Sequence, residues 1–220
     1  MNFDEVLQKR RSIRSYQSIP VEKEKWLALI QAASLAPSCG NLQNWKFIII
    51  EDFEKRKKLS HICHDQVWMQ QAPIHIVVCA DTRVAHQYYG VRGERLYSVQ
   101  NCAAALQNMS LAAVDMGLGS CWVSAFDEER LKNLIHIPKD ARPQAVFTVG
   151  YANEKVPTPT QKDPVDYLYF ETYGDEVEPL IRSIRRRNYR DVNKRAFDHA
   201  ASFFKDIKDK FIIYYHKLLK

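Results

Sequence analysis

The chain has 220 residues, 46% of them hydrophobic, and a formal net charge of +6. This is enough apolar material for one large core, and neither value is extreme enough to indicate disorder. No apolar run approaches the roughly 20 residues of a membrane span, and the charged N-terminus MNFDEVLQKRRS is unlike a signal peptide. The five cysteines are scattered and odd in number, which favours reduced thiols. We therefore expect a soluble, cytoplasmic protein.

Helical spacing of apolar residues and runs of β-branched residues predict the elements in chain order. Helices are predicted at residues 2–11, 21–36, 51–63, 96–117 and 127–136. Strands are predicted at residues 45–50, 74–81, 120–125, 145–151 and 165–174. The long alanine-rich helix, which Gly117 is placed to end, is expected to be central and buried, and Asp127 is expected to cap the helix that follows it. The alternation of helices and strands predicts an α/β class with a mixed sheet.

The positive charge is concentrated at the end of the chain. Residues 175–220 hold 12 Lys and Arg against 7 Asp and Glu, a net of +5, so residues 1–174 carry only +1. We therefore divide the chain into a folded body, residues 1–174, and a basic extension, residues 175–220.

The extension repeats large apolar residues every seven positions, at Phe197, Phe204, Phe211 and Leu218. This spacing predicts a helix of roughly 25 residues with one apolar stripe. We expect that helix to wrap a partner subunit or pack on the body. Contact of its basic cluster with lipid or nucleic acid is the less favoured alternative.

Three short segments carry residues suited to ligand binding. The first, RRSIR, contains Arg10, Arg11, Ser12 and Arg14, whose guanidinium forks and hydroxyl suit a phosphate; the alternative is a solvated charge cluster. The second is the turn-rich run APSCGNLQN before a strand, which either edges a flat polar ring system or is an ordinary loop. The third, GLGSCW, has two glycines where a helix meets a strand.

In this order, together with VFTVGYANEKVPTP near residue 150, the three segments resemble the nitroreductase-like family of FMN-dependent flavoproteins. The resemblance extends from residue 2 to about residue 172. It implies an α+β fold of three layers, in which helices flank a mixed central sheet. It also implies an intertwined homodimer that binds FMN at its interface, with both subunits contributing to each site.

The resemblance also implies roles for individual residues. Arg10 and Ser12 match positions near the FMN phosphate and ribityl chain, and Arg14 matches a position near flavin N1 and the C2 carbonyl. Candidates from the partner subunit's loop are Pro37, Ser38, Cys39, Asn41 and Gln43. Candidates whose backbone amides approach flavin N5 are Val123, Ser124 and Ala125.

The sequence departs from the family pattern at two places. Where relatives commonly have arginine to grip the phosphate, this chain has Lys162, which keeps the charge and loses the bidentate fork. Many relatives carry an acidic residue early in the long helix, whereas this chain has Gln100 and Asn101.

Other candidate residues have weaker signals. His61, Cys63 and His64 lack a second cluster with metal-ligand spacing, so we expect no metal site. Cys39 is not required for hydride transfer, and its identity is interpreted as incidental. A loop-like stretch either roofs the pocket or is a solvated connection; its candidate residues are Tyr88, Tyr89, Arg92 and Arg95.

The predicted function is hydride transfer from NADH or NADPH through FMN to a nitro, quinone or related electrophilic small molecule. In this chemistry the flavin reacts, no catalytic side chain is required, and Arg14 tunes the flavin potential. The alternatives are another flavin chemistry on the same fold, such as flavin cleavage, dehalogenation or dehydrogenation, and a non-catalytic FMN-binding protein. The sequence does not distinguish NADH from NADPH or name the acceptor.

Overall fold

A four-stranded sheet lies at the centre of the protein. Its strands are β1 (Trp45–Ile50), β2 (Ile74–Asp81), β3 (Gly119–Val123) and β4 (Ala141–Gly150). Their order is β1-β2-β4-β3, and every neighbouring pair is antiparallel. The computed structural model describes residues 1–174, and the one parallel pairing among them is the isolated bridge between Ser12 and Ser120. The predicted mixed sheet is therefore antiparallel in its four strands and parallel only at this bridge.

Six α-helices surround the sheet in the described part of the chain. They are α1 (Phe3–Lys9), α2 (Lys23–Ser34), α3 (Phe53–Ile62), α4 (Thr82–Arg92), α5 (Ser98–Asp115) and α6 (Glu128–Ile135). Five of them correspond to predicted helices, with ends that differ by a few residues. None of the helices within residues 1–174 has both the length and the apolar character of a membrane span.

The helices form a layer on each face of the sheet. On one face, Leu29 of α2 and Leu106 of α5 pack in a buried cluster with Phe147 of β4. On the other face, Leu59 of α3 and Leu131 of α6 pack in a second cluster. That cluster includes the strand residues whose side chains point to this face, such as Val77 and Val146. Successive strand side chains point to opposite faces, so both faces of β2 and β4 are covered. The predicted three-layer α+β class is confirmed.

The predicted burial and end of α5 are also confirmed. Its buried residues recur three or four positions apart, and Ala105 and Ala113 are completely enclosed. Small side chains at these positions let the helix pack closely on the sheet. Gly117, at φ 73°, adopts the left-handed conformation that ends the helix.

The stretch predicted to be loop-like is instead helical. Thr82 to Arg92 form α4, whose first turn is capped by the Asp81 carboxylate, and residues Gly93–Tyr97 form one π-helical turn that leads into α5. The prediction was wrong because two glycines in this stretch favour a loop. Gly90, at φ 58°, kinks the helix without ending the segment, and Gly93 allows close packing on the Ala85 carbonyl.

The predicted strand at residues 165–174 is absent. The backbone there forms a short 3-10 helix, Pro164–Tyr167, then one bridge position at Tyr169 and a series of bends and turns. A strand needs a paired neighbour along its length, and Tyr169 is the one residue of positions 165–174 in a bridge. The chain divides into two compact units, Met1–Thr158 and Pro159–Lys220. The helix predicted in the extension lies outside the described residues.

Candidate active site

The segment from Arg10 to Arg14 extends the sheet at its β3 edge. It leaves α1 and bridges β3 at Ser12 and Ser120, and the Ile13 amide donates to the Ser120 carbonyl at 2.9 Å. The approach is close, since a Cβ at Gly119 would lie 3.0 Å from Ile13 Cγ1. Glycine at this position therefore allows the arginine segment to lie against the strand.

A buried tyrosine holds the far end of this segment. The Tyr16 hydroxyl donates to the Ile13 carbonyl at 2.7 Å and lies 2.8 Å from Thr148 Oγ1. Burial raises the pKa of Tyr16, so its hydroxyl remains a neutral donor. Ile13, Tyr16 and Ala72 also form a small apolar cluster with Trp68.

Arg14 is held at both its backbone and its side chain. The backbone amides of Arg14 and Ser15 donate to Glu154 Oε1, the latter at 3.0 Å. The Arg14 guanidinium carbon lies 5.9 Å from the centre of the Trp68 ring, within the range of a cation–π contact. Glu154 and Trp68 therefore orient a side chain that is itself exposed to solvent.

The cations of this segment suit an anionic ligand such as the FMN phosphate. Within residues 1–158, neither Arg10 nor Arg14 forms an ion pair with a carboxylate. Arg11 donates to the Arg10 carbonyl at 2.6 Å and to the Thr158 hydroxyl, and its buried Nε has no acceptor in the described part of the chain. Within residues 1–158, the segment therefore holds one buried donor without an acceptor and two guanidinium groups without an ion pair, a donor set that suits a phosphorylated ligand.

The electrostatic influence of Arg14 reaches the neighbouring strand. Burial raises the pKa of the Cys121 thiol, while the Arg14 guanidinium and the Ser12 side chain oppose that rise. Both residues can act on this thiol because their segment bridges β3 at Ser120, the residue before Cys121.

The candidates Val123 to Ala125 lie at the end of that same strand. Val123 is buried, whereas Ser124 and Ala125 are exposed and leave the sheet. Trp122 Nε1 donates to Ser124 Oγ at 2.8 Å, which fixes the first turn after the strand. Val123 lies three positions after Ser120 along the strand, a distance of about 10 Å. The structure thus brings the arginine segment and this turn to one edge of the sheet.

The loop of residues 37–43 has a strained backbone. It contains the 3-10 turn Cys39–Asn41, and φ is positive at Gly40 (56°), Asn41 (55°) and Gln43 (47°). Within the loop, the Gln43 amide donates to Ser38 Oγ at 3.0 Å and Gln43 Nε2 donates to Asn41 Oδ1 at 3.0 Å. A residue other than glycine pays a steric cost for a left-handed backbone, which the surrounding structure must compensate. Such residues are often found at functional sites.

This loop and the arginine segment lie at opposite edges of the sheet. The loop leads directly into β1, and the Arg10–Arg14 segment pairs with β3 at the other edge. Four strand spacings, about 19 Å across the sheet, separate the two. They also lie at opposite ends of the strands, since the start of β1 is in register with Arg142 of β4 whereas Ser120 is in register with Val149. The structure therefore does not bring all the predicted site residues together within one chain. Lys162 belongs to the second unit, and its proposed phosphate contact stays a prediction.

Helix α4 contacts the loop through Tyr89. A Cβ at Gly40 would overlap the Tyr89 hydroxyl oxygen, and the neighbouring Cys39 side chain raises the pKa of Tyr89. The Tyr89 ring packs edge-on against Tyr97 at 5.4 Å between ring centres. One residue of the proposed roof thus lies on the loop, and the interpretation of Cys39 as incidental to the chemistry stays a prediction.

Sequence reasoning missed three residues that support the candidate site. Glu154 lies in the quoted segment VFTVGYANEKVPTP, but its two amide partners are about 140 residues away in sequence. Trp68 precedes β2 on a 3-10 turn and has no motif of its own. Asn101 was noted only as a departure from the family, and its oxygen accepts the Cys39 amide.

The candidate zinc ligands have other contacts. His61 Nδ1 lies 2.7 Å from Asp65 Oδ1, and Cys63 is completely buried at the end of α3. No group of three or more His, Cys, Asp or Glu residues within residues 1–174 is arranged to hold a metal ion.

Comparisons with known proteins agree with this architecture. The model of the nitroreductase family matches residues 7–68 and 64–151. The chain is 37% identical over 150 residues to an NADH dehydrogenase/NAD(P)H nitroreductase of Archaeoglobus fulgidus, covering 66% of this chain and 83% of the relative. It is 29% identical over 200 residues to an FMN reductase [NAD(P)H] of Bacillus subtilis, covering 84% and 80%.

Solved structures give the same result. The FMN-dependent nitroreductase of Clostridium difficile superimposes with a TM-score of 0.66 at 27% identity, covering 76% of this chain and 98% of that one. The family match extends over most of the described residues, and it includes the arginine segment, the strained loop and the turn after β3. The chain therefore belongs to the nitroreductase family.

Proposed function

We propose that this protein is an FMN-dependent oxidoreductase that takes hydride from NADH or NADPH and reduces a nitro, quinone or related electrophilic compound. The observation that carries this proposal is the arginine segment beside β3, together with the exposed turn at the end of the same strand. Arg10 and Arg14 of this segment form no ion pair with a carboxylate of residues 1–158. Relatives named NAD(P)H nitroreductase and FMN reductase [NAD(P)H] support the assignment of cofactor and electron donor.

The residues of the candidate site at the β3 edge of the sheet each have a proposed role in binding FMN. When bound, FMN supplies two-electron hydride chemistry between the donor and the acceptor. Arg10 and Ser12 bind its phosphate and ribityl chain, and Lys162 adds a second positive charge. Arg14 stabilises negative charge on the pyrimidine side of the ring, which raises the reduction potential. Trp68 and Glu154 keep Arg14 in place.

We further propose a homodimer with shared sites. The loop of residues 37–43 and the arginine segment lie at opposite edges of one sheet, about 19 Å apart across it, and at opposite ends of its strands. Both sets reach one ligand most directly when each comes from a different subunit.

The extension, residues 175–220, is proposed to wrap the partner or pack on the body. All five cysteines are free, which supports a reducing compartment such as the cytoplasm.

FMN binding tests this proposal most directly. Protein mixed with FMN should retain it through gel filtration and show flavin absorbance. Arg10→Ala should weaken FMN binding about 10- to 100-fold, because it removes charge-assisted hydrogen bonds. Arg14→Ala should lower the midpoint potential of protein that still holds FMN. Arg130→Ala, an exposed arginine on α6, is the matched control and should change neither quantity.

Oxidation of NADH or NADPH by the FMN-loaded protein distinguishes the alternatives. Turnover with nitroaromatic or quinone acceptors supports the proposed reductase. Tight FMN binding without oxidation of either nucleotide supports a non-catalytic FMN-binding protein. Failure of repeated reconstitution with FMN contradicts the proposal.

A further inference from the structure

A buried network of amide side chains lies beneath the strained loop. Asn101, in the first turn of α5, and Asn44, just before β1, are each 3% exposed. Asn101 Oδ1 accepts the Cys39 amide at 2.9 Å, and Asn101 Nδ2 donates to Asn44 Oδ1 at 2.8 Å. The Asn101 side chain therefore links the loop to the sheet.

The contacts of Asn44 determine which way both amides face. Asn44 Nδ2 donates to the Asp81 carbonyl at 2.9 Å and to Ser98 Oγ at 3.0 Å. The Ser98 hydroxyl in turn donates to the Gly93 carbonyl at 3.1 Å. Because Asn44 Nδ2 has these acceptors, its oxygen must face Asn101, and Asn101 must present its NH₂ to Asn44 and its oxygen to Cys39.

We infer that Asn101 is a positioning residue for the FMN-facing loop. The loop has three residues with positive φ, Gly40, Asn41 and Gln43, and Cys39 immediately precedes the first of them. Anchoring the Cys39 amide to a buried side chain holds the backbone at the point where this strain begins. This inference rests on the proposed function, since the loop is assigned there to the flavin of the partner subunit.

The network requires an amide at this position rather than a carboxylate. A carboxylate can accept the Cys39 amide, but it has no proton to donate to Asn44 Oδ1. Asn44 cannot turn to compensate without losing its contact to the Asp81 carbonyl. Two oxygens would then face each other in a buried site, which is costly. The amide of Asn101 both accepts and donates, as this network requires.

This chemistry predicts a distinctive pH response for Asn101→Asp. At pH 8 the buried carboxylate should weaken FMN binding at least about tenfold. As the pH falls and the carboxyl is protonated, its OH can donate to Asn44 while its other oxygen accepts from Cys39. FMN affinity should then recover toward the wild-type value. Asn101→Ala should be about 3- to 10-fold weaker at every pH, because it cannot form either hydrogen bond.

The controls separate loop positioning from general stability. Asn108→Ala removes an amide on the same helix that donates to the Ala32 carbonyl at 3.1 Å, and it should lower stability without changing FMN affinity. The Cys39 thiol, the Asp81 carboxylate and the Tyr89 hydroxyl lie beside this network in the wild type as well, so the pH profile of the wild type serves as the baseline.

Amide hydrogen exchange of residues 39–43, measured without FMN, tests the anchor itself. Exchange should accelerate in Asn101→Ala and remain unchanged in Asn108→Ala. If the wild type binds FMN and Asn101→Ala binds it equally well with unchanged exchange, the inference is wrong. If the wild type binds no FMN, the proposed function fails, while exchange of the loop amides still decides whether Asn101 anchors the loop.

Discussion

His75, on strand β2, has an ionisable side chain that is completely buried. Its Nε2 lies 2.9 Å from the Met69 carbonyl, and its Nδ1 has no partner in the described part of the chain. Burial lowers the pKa of His75 to about 4, with the charge of Arg56 acting in the same direction and the Met69 contact opposing it. The folded protein therefore keeps this imidazole neutral through the physiological range.

This shift predicts acid sensitivity. The unfolded chain protonates His75 near pH 6.5 and the folded chain near pH 4, so between these values the unfolded state binds more protons. The free energy of unfolding therefore keeps its full value above pH 6.5 as far as His75 is concerned. It decreases as the pH falls toward 4, by about 3 kcal/mol in total. Urea unfolding of the wild type and His75→Gln across this range measures the effect.

The His75→Gln variant should show a shallower loss of stability on acidification, since all other titrating groups are common to both proteins. The variant need not match the wild-type stability at neutral pH, because only the difference in slope is diagnostic. Parallel profiles for the two proteins would show that His75 does not titrate as described.

At the scale of elements, side chains that precede a helix stabilise it by accepting hydrogen bonds from the backbone amides of its first turn. Asp127 precedes α6, and its carboxylate accepts the Arg130 amide at 3.0 Å. This is one of the donors that the first turn of a helix leaves unpaired. Asn2, Asp52 and Asp81 accept amides in the same way before α1, α3 and α4.

Replacing the α6 cap has a predictable cost. Asp127→Ala should lower the free energy of unfolding by about 1 kcal/mol, because alanine leaves the Arg130 amide without its acceptor. Asp127→Asn is the matched control, since its oxygen can still accept this amide. Chemical denaturation provides the measurement, and equal losses in the two variants would mean that charge, rather than capping, is responsible.

At the scale of the whole molecule, the separation of the two ligand-binding edges predicts complementation between subunits. Arg10→Ala and Asn41→Ala each damage one contribution to a site. In a mixed dimer with shared sites, both changes fall in one site and the other site is intact. Differently tagged subunits, exchanged and purified as the mixed species, should therefore recover about half of the wild-type FMN content and activity.

The homodimers of each variant are the controls, and both should be defective. A mixed species that recovers nothing, although each variant is impaired by itself, would show that each subunit forms its site alone. Sedimentation of the wild type at low concentration should show no FMN-loaded monomer.

Most of the elements could be predicted from the sequence because they depend on local properties. The β-branched runs of β1 and β2, the alanine-rich repeat of α5 and the capping carboxylate of Asp127 each act within a few residues. The arginine segment, the turn-rich loop and the turn after β3 were recognised for the same reason. Each is a short motif whose residue types suit a phosphorylated, flat ligand.

Other features were decided only by the tertiary structure, because they depend on contacts between residues far apart in sequence. Strand alternation alone does not determine direction, so the antiparallel order β1-β2-β4-β3 followed from packing. Residues 86–97 are helical despite Gly90 and Gly93, because packing and the cap at Asp81 stabilise the helix. Asn44 and Asn101 meet across 57 residues, and Glu154 reaches the amide of Arg14 across 140. Local propensity carries no information about such pairs, since only the folded sheet and its helices bring them together.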